Sequence, residues 1–271
     1  MRKTFAELSK NEIANNPNSF VILGDIGIGS FLNSEDNLPD RVLNTGIAEQ
    51  AMIGFAAGLS TGKGNVIVHT IAAFLIERAF EQIKLCCGYN ECKLILVSAN
   101  GPYDYEKLGP THHSPSDVTL LMTVPNLNIR IPATDEDLRE CYADALASQT
   151  STYIRCTSRE AKLEKNPTVV NNKWKKIVNE DTSKVVVCIG EGLTYALGSF
   201  ADSSIYWTTD PTSTLPEELN CYKEIIILEP YTGSFIQIPE SFTHKSITRR
   251  NFKTENKKIM KQNLGWEDFI L

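Results

Sequence analysis

The chain has 271 residues, 42% hydrophobic and 22% charged, a composition typical of one large or two modest globular domains and not of a disordered or fibrous protein. Its 33 acidic and 27 basic side chains give a net charge of −6 without a basic block, which argues against a nucleic-acid partner. The longest apolar runs, such as 225–228, are far shorter than the roughly 20 residues that cross a bilayer, so we expect no membrane span.

The first residues form an amphipathic helical pattern without the apolar core of a secretory signal, which predicts a cytoplasmic protein. The seven cysteines lie mostly in apolar stretches such as 185–189, and this indicates reduced, buried thiols. Cys86, Cys87 and Cys92 lack the paired spacing of a zinc site, and four histidines are few to complete one. We therefore predict no metal site held by this chain.

Short β-type runs alternate with segments of helical period over the first 160 residues. After an initial helix, strands are expected at 20–23, 65–68, 93–98, 128–131 and 152–155, and helices at 48–60, 72–87, 115–122 and 135–148. This alternation predicts an α/β fold with an open parallel sheet. Ser114 and Thr134 are predicted helix caps, because each hydroxyl precedes an acidic first turn.

A polar stretch with little periodicity, 161–182, predicts a linker between a domain at 1–160 and a smaller α/β domain at 183–271. The second domain is expected to contain strands at 184–189, 204–207 and 224–228 and a helix at 194–201. Open α/β sheets place ligands beyond the carboxyl ends of their strands, so we expect the chemistry in the loops after residues 23, 69, 98 and 155.

Three segments carry residues suited to chemistry, and each also has an ordinary structural explanation. Glu49 lies in the first turn of a predicted helix with an apolar face of Ile47, Met52, Phe55 and Leu59, and the helix dipole stabilises a carboxylate there. Phe74 opens the next helix, where an aromatic ring commonly packs in a core. His112 and His113 end a long loop, 99–114, and an imidazole suits either capping or proton transfer near neutral pH.

Taken together, the motifs are more specific than any one of them. They are NTGIAEQ at 44–50, Phe74 followed by RAFEQI at 78–83, and GPTH at 109–112, with PNLNI at 125–129 and IPAT at 131–134. In this order and spacing they resemble the carboxyl-terminal half of transketolases, and more closely the short form in which the enzyme is split into two chains. The resemblance is strong over about residues 20–160 and weak after 183.

The resemblance implies a domain that binds the pyrimidine of thiamine diphosphate, followed by the family's smaller carboxyl-terminal domain. Glu49 is similar to the catalytic glutamate that bonds N1′ of the aminopyrimidine and favours the tautomer that deprotonates C2 of the thiazolium. Phe74 is similar to the ring that stacks on the pyrimidine, Ile47 to the residue beside it, and Asp25 to an aspartate near the cofactor interface.

The same resemblance implies substrate-binding roles. His112 is similar to a catalytic histidine that faces the substrate hydroxyls, and Arg159 to the arginine that holds a substrate phosphate. Leu108 stands where the family's loop typically has an aspartate that bonds a sugar hydroxyl, and Asn100 replaces a histidine associated with phosphate binding. Ile71 replaces an aromatic neighbour of Phe74 and keeps an apolar wall. These departures favour a specialised, deoxygenated or nucleotide-linked sugar over an ordinary sugar phosphate.

The sequence has no stretch like the family's Gly-Asp-Gly motif that supplies magnesium ligands for the diphosphate. The resemblance therefore implies that an amino-terminal subunit holds most of the Mg²⁺ site in an α2β2 assembly that transfers a two-carbon ketol unit between sugars. Three alternatives stay open: the β chain of a 2-oxoacid dehydrogenase decarboxylating component, a relative of deoxyxylulose-phosphate synthase, and a non-catalytic scaffold.

Overall fold

The computed structural model describes residues 1–35, 37–179, 181–242 and 246–251, and this part of the chain contains two six-stranded sheets. The end of the predicted second domain, 252–271, lies outside the described residues. The predicted α/β fold is confirmed. No helix in the described ranges is both long and apolar enough to cross a membrane.

The first sheet is entirely parallel. Its strands are β1 (Phe20–Leu23), β2 (Val42–Asn44), β3 (Val66–Ile71), β4 (Ile95–Ala99), β5 (Leu127–Arg130) and β6 (Ser151–Arg155). They lie in the order β2-β1-β3-β4-β6-β5. Strands β3 and β4 are buried along their whole length, which explains why they read as apolar runs without alternation.

Helices cover both faces of this sheet. They are α1 (Arg2–Asn15), α2 (Glu49–Leu59), the short α3 (Phe80–Ile83) and α4 (Asp117–Leu121), and α5 (Asp135–Ala147). Successive strand residues pack on opposite faces: Val21 and Leu23 lie in one cluster with residues of α1 and α5, and Ile22 lies in another with residues of α2. The two clusters hold the strand ends in place, and the loops that follow them carry the predicted site.

The segment predicted as one helix at 72–87 is irregular. It contains two π-helical turns, Ala73–Arg78 and Lys84–Tyr89, on either side of α3. Such turns occur often at functional sites. The predicted apolar face of α2 is also partly wrong, because Met52 is buried whereas Ile47 and Phe55 are 72% and 46% exposed. Ile47 precedes the first residue of α2 and therefore does not share its buried face.

One predicted helix cap is confirmed and the other is wrong. Thr134 Oγ1 accepts from the Asp137 amide at 3.0 Å, and the Asp137 carboxylate accepts from the Thr134 amide at 3.1 Å, which forms a capping box on α5. Ser114 does not cap α4, because that helix begins at Asp117. The hydroxyl of Ser114 instead donates to Glu77 Oε1 at 3.1 Å.

The second sheet is mixed. Its strands are β7 (Thr168–Val170), β8 (Trp174–Ile177), β9 (Asp181–Ile189), β10 (Ser203–Thr208), β11 (Glu224–Glu229) and β12 (Ser246–Asn251), and α6 (Gly192–Ser199) follows β9. The order is β12-β11-β9-β10-β8-β7, in which β12 to β10 run parallel and β8 and β7 pair antiparallel.

The segment predicted as a linker, 161–182, contains β7 and β8 and therefore belongs largely to the second sheet. Asn171 and Asn172 turn the hairpin with φ of 51° and 55°, a conformation that asparagine tolerates. Trp174 is 2% exposed and anchors the hairpin in the core. The lysines next to Trp174 are charged, and for this reason the sequence of 161–182 was interpreted as polar along its whole length. The domain ranges 1–160 and 183–271 remain predictions.

The cysteines are free thiols. Cys87, Cys141, Cys156 and Cys188 are buried, as the apolar stretches around them predict. Burial raises the pKa of Cys87 to about 12, which keeps this thiol protonated and unreactive at neutral pH.

Candidate active site

The predicted cofactor and substrate residues follow the carboxyl ends of the strands of the first sheet. Asp25 comes after β1, Ile47 after β2, Asn100 after β4 and Arg159 after β6, while Ile71 is the last residue of β3. All six strands are parallel, so these ends share one edge of the sheet. The sheet therefore gathers on one edge residues that lie more than 130 positions apart in the sequence.

Glu49 is the first residue of α2, and its side chain is 1% exposed. Arg78 Nη1 donates to its Oε2 at 2.8 Å. Its other oxygen, Oε1, is buried and has no hydrogen-bond partner among the described residues. Leaving a buried carboxylate oxygen unpaired costs free energy, so this atom is suited to a donor from outside the chain.

An aromatic wall connects Glu49 with His112. The guanidinium carbon of Arg78 lies 4.2 Å from the centroid of the Phe74 ring, and that ring meets His112 edge-on with 5.0 Å between centroids. The ring of Tyr105 lies 5.8 Å from that of His112. The structure thus brings three predicted residues, Glu49, Phe74 and His112, into one continuous set of contacts.

Arg2 and Tyr105 belong to the same surface and were not predicted from the sequence. Arg2, at the start of α1, donates from Nη2 to Asn100 Oδ1 at 2.7 Å and also to the hydroxyl of Tyr105. Asn100 is 4% exposed and has a positive φ of 70°. A separation of 98 residues between Arg2 and Asn100 leaves no local sequence signal for this contact.

Arg159 and Leu108 line an adjoining cavity of about 340 Å³ together with Asp104, Tyr105 and Lys107. Arg159 Nε lies 3.4 Å from Asp104 Oδ1, and its side chain is 40% exposed. Leu108 is 55% exposed. The cavity thus combines two cations, of which Arg159 is paired with the Asp104 carboxylate, with an exposed apolar side chain. Such a lining suits an anionic ligand that also has an apolar edge.

Asn44 joins the loops that carry Asp25 and Ile47. Its Oδ1 accepts from the amides of Asp25 and Gly46 at 3.0 Å each, and its Nδ2 donates to Asp25 Oδ1 at 3.3 Å. Asp25 has a positive φ of 65°, which this bonding supports. Ile71 is 4% exposed, so it can only back the surface formed by its neighbours.

Metal ligands are scarce in this part of the molecule. Within the described ranges, no three His, Cys, Asp or Glu side chains form a group able to hold a metal ion. An unpaired buried carboxylate oxygen beside an aromatic ring instead suits a flat ring that carries hydrogen-bond donors.

The parallel sheet and the residues gathered at its carboxyl edge place the chain in the class of α/β proteins that bind ligands at the ends of their strands. Residues 1–162 match the family model described as "Transketolase, pyrimidine binding domain", and the chain belongs to this family. The membership inferred from the motifs at 44–50, 74–83 and 109–112 is confirmed.

Two curated relatives have more specific names. An apulose-4-phosphate transketolase subunit from Actinobacillus succinogenes is 36% identical over 45% of this chain and 39% of its own length. A 6-deoxy-6-sulfo-D-fructose transketolase subunit of a Clostridium species is 31% identical over 46% of this chain and 38% of its own length. The matches thus span about two-fifths of these relatives.

A solved structure described as "Split gene transketolase, inactive beta4 tetramer" covers 93% of this chain and 89% of its own chain with a TM-score of 0.68. The two sequences are 20% identical, so this likeness shows the fold.

Proposed function

We propose that this chain is the pyrimidine-binding subunit of a two-chain, thiamine diphosphate-dependent transketolase that transfers a two-carbon ketol unit between sugars. The observation that carries the proposal is Glu49, whose buried Oε1 lacks a hydrogen-bond partner among the described residues beside the wall formed by Phe74 and His112. Membership of the transketolase family and the names of two relatives, each described as one subunit of a transketolase, support it.

The residues present fit the pyrimidine half of thiamine diphosphate. When bound, the cofactor supplies a nucleophilic carbon and an electron sink for breaking the bond beside a ketose carbonyl. Glu49 would bond the pyrimidine ring through Oε1, while Arg78 fixes the carboxylate by holding Oε2. Phe74 would stack on the ring, with Ile47 and Asp25 on the neighbouring loops and Ile71 behind them.

The sugar would occupy the surface from His112 to Arg159. The His112 imidazole would bond or exchange protons with substrate hydroxyls, since it lies against both Phe74 and Tyr105. Arg159 and Arg2 would bind an anionic group, because each guanidinium lies on this surface. Asn100 would take part by orienting Arg2, and Leu108 would contact an apolar edge of the sugar.

The diphosphate and most of the Mg²⁺ ligands would come from an amino-terminal partner subunit in an α2β2 complex. Support comes from the sequence, which lacks the family's magnesium-binding motif, and from the relatives named as one subunit of a transketolase.

The proposed activity can be tested in the reconstituted complex. This complex should lengthen an aldose by two carbons while a ketose loses two carbons, and mass spectrometry measures both products. Failure with hydroxylated, deoxy and sulfonated ketose donors would contradict the proposal.

Cofactor binding should require the partner, because the chain supplies only the pyrimidine side of the site. In calorimetry with magnesium present, we expect no measurable binding of thiamine diphosphate to this chain alone and saturable binding to the complex. The partner by itself is the control. Tight magnesium-dependent binding by this chain alone would show that the diphosphate site has been misassigned.

Replacement of Leu108 by Asp should shift substrate preference toward hydroxylated ketoses. In the complex, where the bound sugar would exclude water from Leu108, a sugar hydroxyl left unpaired costs about 1 to 3 kcal/mol. We therefore expect the ratio of kcat/KM for a hydroxylated to a matched deoxy substrate to rise by roughly one to two powers of ten. Leu108→Ala is the control, since it removes the apolar contact without adding an acceptor. An unchanged ratio in Leu108→Asp would show that Leu108 does not determine the choice between hydroxylated and deoxy sugars.

A further inference from the structure

A buried group of charges lies where the two sheets meet. Arg155, at the end of β6, is fully buried, and its Nη1 donates to Asp117 Oδ1 at 2.9 Å. Its Nη2 donates to the carbonyl of Pro230, which follows β11, and lies 3.1 Å from Glu191 Oε1. Glu191 immediately precedes α6 in the second domain. The second domain therefore contributes one carboxylate to a charge cluster whose other charged members, Arg155 and Asp117, belong to the first domain.

Glu191 is held in a tight turn against the first domain. It is 5% exposed, and Gly190 before it packs so closely that an added Cβ would lie 2.2 Å from Ile131 Cγ2. Two residues into α6, Thr194 donates to the carbonyl of Arg159 at 2.6 Å. The ion pair with Arg155 is not aligned as a hydrogen bond, and both Glu191 oxygens lack a hydrogen-bond partner among the described residues.

The Glu191 carboxylate also faces the start of the loop 100–114, which carries His112 and Leu108. A Cβ built on Gly101 would lie 2.8 Å from Glu191 Oε1. The Gly101 amide donates to Asp104 Oδ2 at 2.8 Å, and the same oxygen accepts from Ser158 N at 2.7 Å. The Asp104 carboxylate therefore connects the loop to the segment that carries Arg159.

The two ends of the loop are joined to each other. The amide of Ser114 donates to the carbonyl of Pro102 at 3.0 Å, so a displacement at Gly101 and Pro102 is passed to the end that follows His112. The Asp104 attachment and this closing bond therefore couple both ends of the loop to the contact between Gly101 and Glu191.

We propose that Glu191 is a positioning residue: its side chain, supplied by the second sheet domain, packs against Gly101 and sets the place of the 100–114 loop and thereby of His112 and Leu108. This assignment deepens the proposed function, on which its kinetic arm rests. Family membership does not imply it, because it depends on the particular approach of the Gly190–Gly192 turn to Gly101 and Arg155.

The charge balance gives the direction of the effect. The groups that act on Glu191 are Arg155, Asp104 and Asp117, and Asp104 is paired with Arg159. With Glu191 protonated, two cations face two carboxylates. With Glu191 ionised, a third carboxylate is present: Arg155 attracts it within the buried cluster, and it repels Asp104, the one of these groups that lies at the base of the loop. The protonated state should therefore hold the loop and the ionised state should loosen it.

Burial raises the pKa of Glu191 to about 7, although Arg155 acts in the opposite direction. The folded protein therefore retains this proton at pH values where the unfolded chain has released it. The resulting stability is fully present below the ordinary range of a glutamate and is lost as the pH rises through 7.

Hydrogen exchange of the loop amides, followed by mass spectrometry in the complex at about pH 6 and about pH 8.5, tests the proposal without requiring turnover. After correction for the intrinsic rate, exchange in 100–114 should be roughly tenfold faster at the higher pH. Glu191→Gln, which keeps the shape and remains neutral, should abolish the increase. The exposed Glu240→Gln should retain it.

A second variant addresses the same contact from the loop side. Gly101→Ala puts a methyl group 2.8 Å from Glu191 Oε1. Because Glu191 is 5% exposed and lies 3.1 Å from the buried Arg155, its carboxylate has little room to move aside, and the loop should already exchange faster at about pH 6. A pH response that persists in Glu191→Gln, or normal protection in Gly101→Ala, would overturn the proposal. If Glu191→Gln does not fold, the Gly101→Ala result and the pH response of the unsubstituted loop decide it.

The kinetic arm uses the same complex. The kcat/KM for the sugar should fall above about pH 7 in the unsubstituted enzyme, and Glu191→Gln should remove that part of the decline while leaving the affinity for thiamine diphosphate unchanged. An identical alkaline decline in Glu191→Gln would count against the positioning role. Absence of ketol transfer at every pH would instead refute the proposed function, and the exchange measurements would still decide the role of Glu191.

Discussion

Replacing Glu49 with Gln should slow deprotonation of C2 of the bound thiamine diphosphate by roughly 10²- to 10⁴-fold, the range that a positioned acid–base group contributes. The carboxylate lies in a buried position, and among the described residues one of its oxygens is bonded, to Arg78. An amide at this position can still donate or accept a hydrogen bond, but it carries no charge to stabilise the activated pyrimidine. The loss should therefore appear in the chemical step.

Hydrogen–deuterium exchange at C2 of the cofactor in the reconstituted complex measures this step directly. The matched control is Glu81→Gln, because Glu81 is an exposed glutamate in the first turn of α3. The control should leave exchange unchanged, and both variants should bind the partner subunit. If Glu49→Gln exchanges as fast as the unsubstituted complex, Glu49 is only a first-turn charge and the non-catalytic alternative gains support.

Replacing Asp117 with Ala should lower the free energy of unfolding by about 3 to 5 kcal/mol, the usual loss when one partner of a buried ion pair is removed. Asp117 and Arg155 are both fully buried, with a separation of 2.9 Å. Asp117 Oδ2 also accepts from the Tyr153 hydroxyl at 2.7 Å. The substitution thus leaves a buried cation without its best-aligned partner and removes the carboxylate acceptor of a buried phenol, which keeps only its bond with Ser98 Oγ at 3.0 Å.

Urea unfolding followed by far-ultraviolet circular dichroism measures this loss as a lower midpoint with the same slope. Asp144→Ala is the matched control, because Asp144 is an exposed aspartate on α5, and its effect should stay within about 0.5 kcal/mol. Equal midpoints for Asp117→Ala and Asp144→Ala would show that the buried charge cluster is relieved by rearrangement and adds little to stability.

Five of the six strands of the first sheet could be predicted, because most of them contain a short run rich in apolar residues with clear ends, whereas the three-residue β2 is missing from the expected strands. The run at 20–23 coincides with β1, and the helix at 135–148 agrees with α5 to within one residue because Thr134 and Asp137 form a local capping box. In these elements the decisive interactions are close in sequence. Propensity, period and capping chemistry therefore agree with the tertiary structure.

The segment 161–182 was wrongly predicted as a linker because its decisive interactions are distant in sequence. The strands β7 and β8 are three and four residues long, and one side of the hairpin is exposed, so its pattern resembles a polar connection. What makes it a hairpin is the burial of Trp174 and the pairing of β8 with β10, a strand about 30 residues further along the chain. Neither feature can be read from a local window.

In the candidate site, too, some features could be predicted from local motifs and others depend on contacts between distant residues. Glu49 and Phe74 could be named from motifs, and the parallel strands predict one edge for the residues that follow them. That Glu49 Oε1 has no partner in the part of the chain that the structure describes could not be predicted, because it depends on the Arg78 side chain bonding the other oxygen. The part played by Arg2 depends in turn on α1 packing beside the end of β4.

Local periodicity and side-chain chemistry at short spacing were enough to predict the alternation of strands and helices, the family motifs and the candidate residues at strand ends. The contact of Arg2 with Asn100, and the contacts of Glu191 in the second domain with Arg155 and Gly101 in the first, became visible only in the folded protein. Such contacts join residues 36 to 98 positions apart, and their energy comes from burial and charge balance that exist only once both sheets have packed.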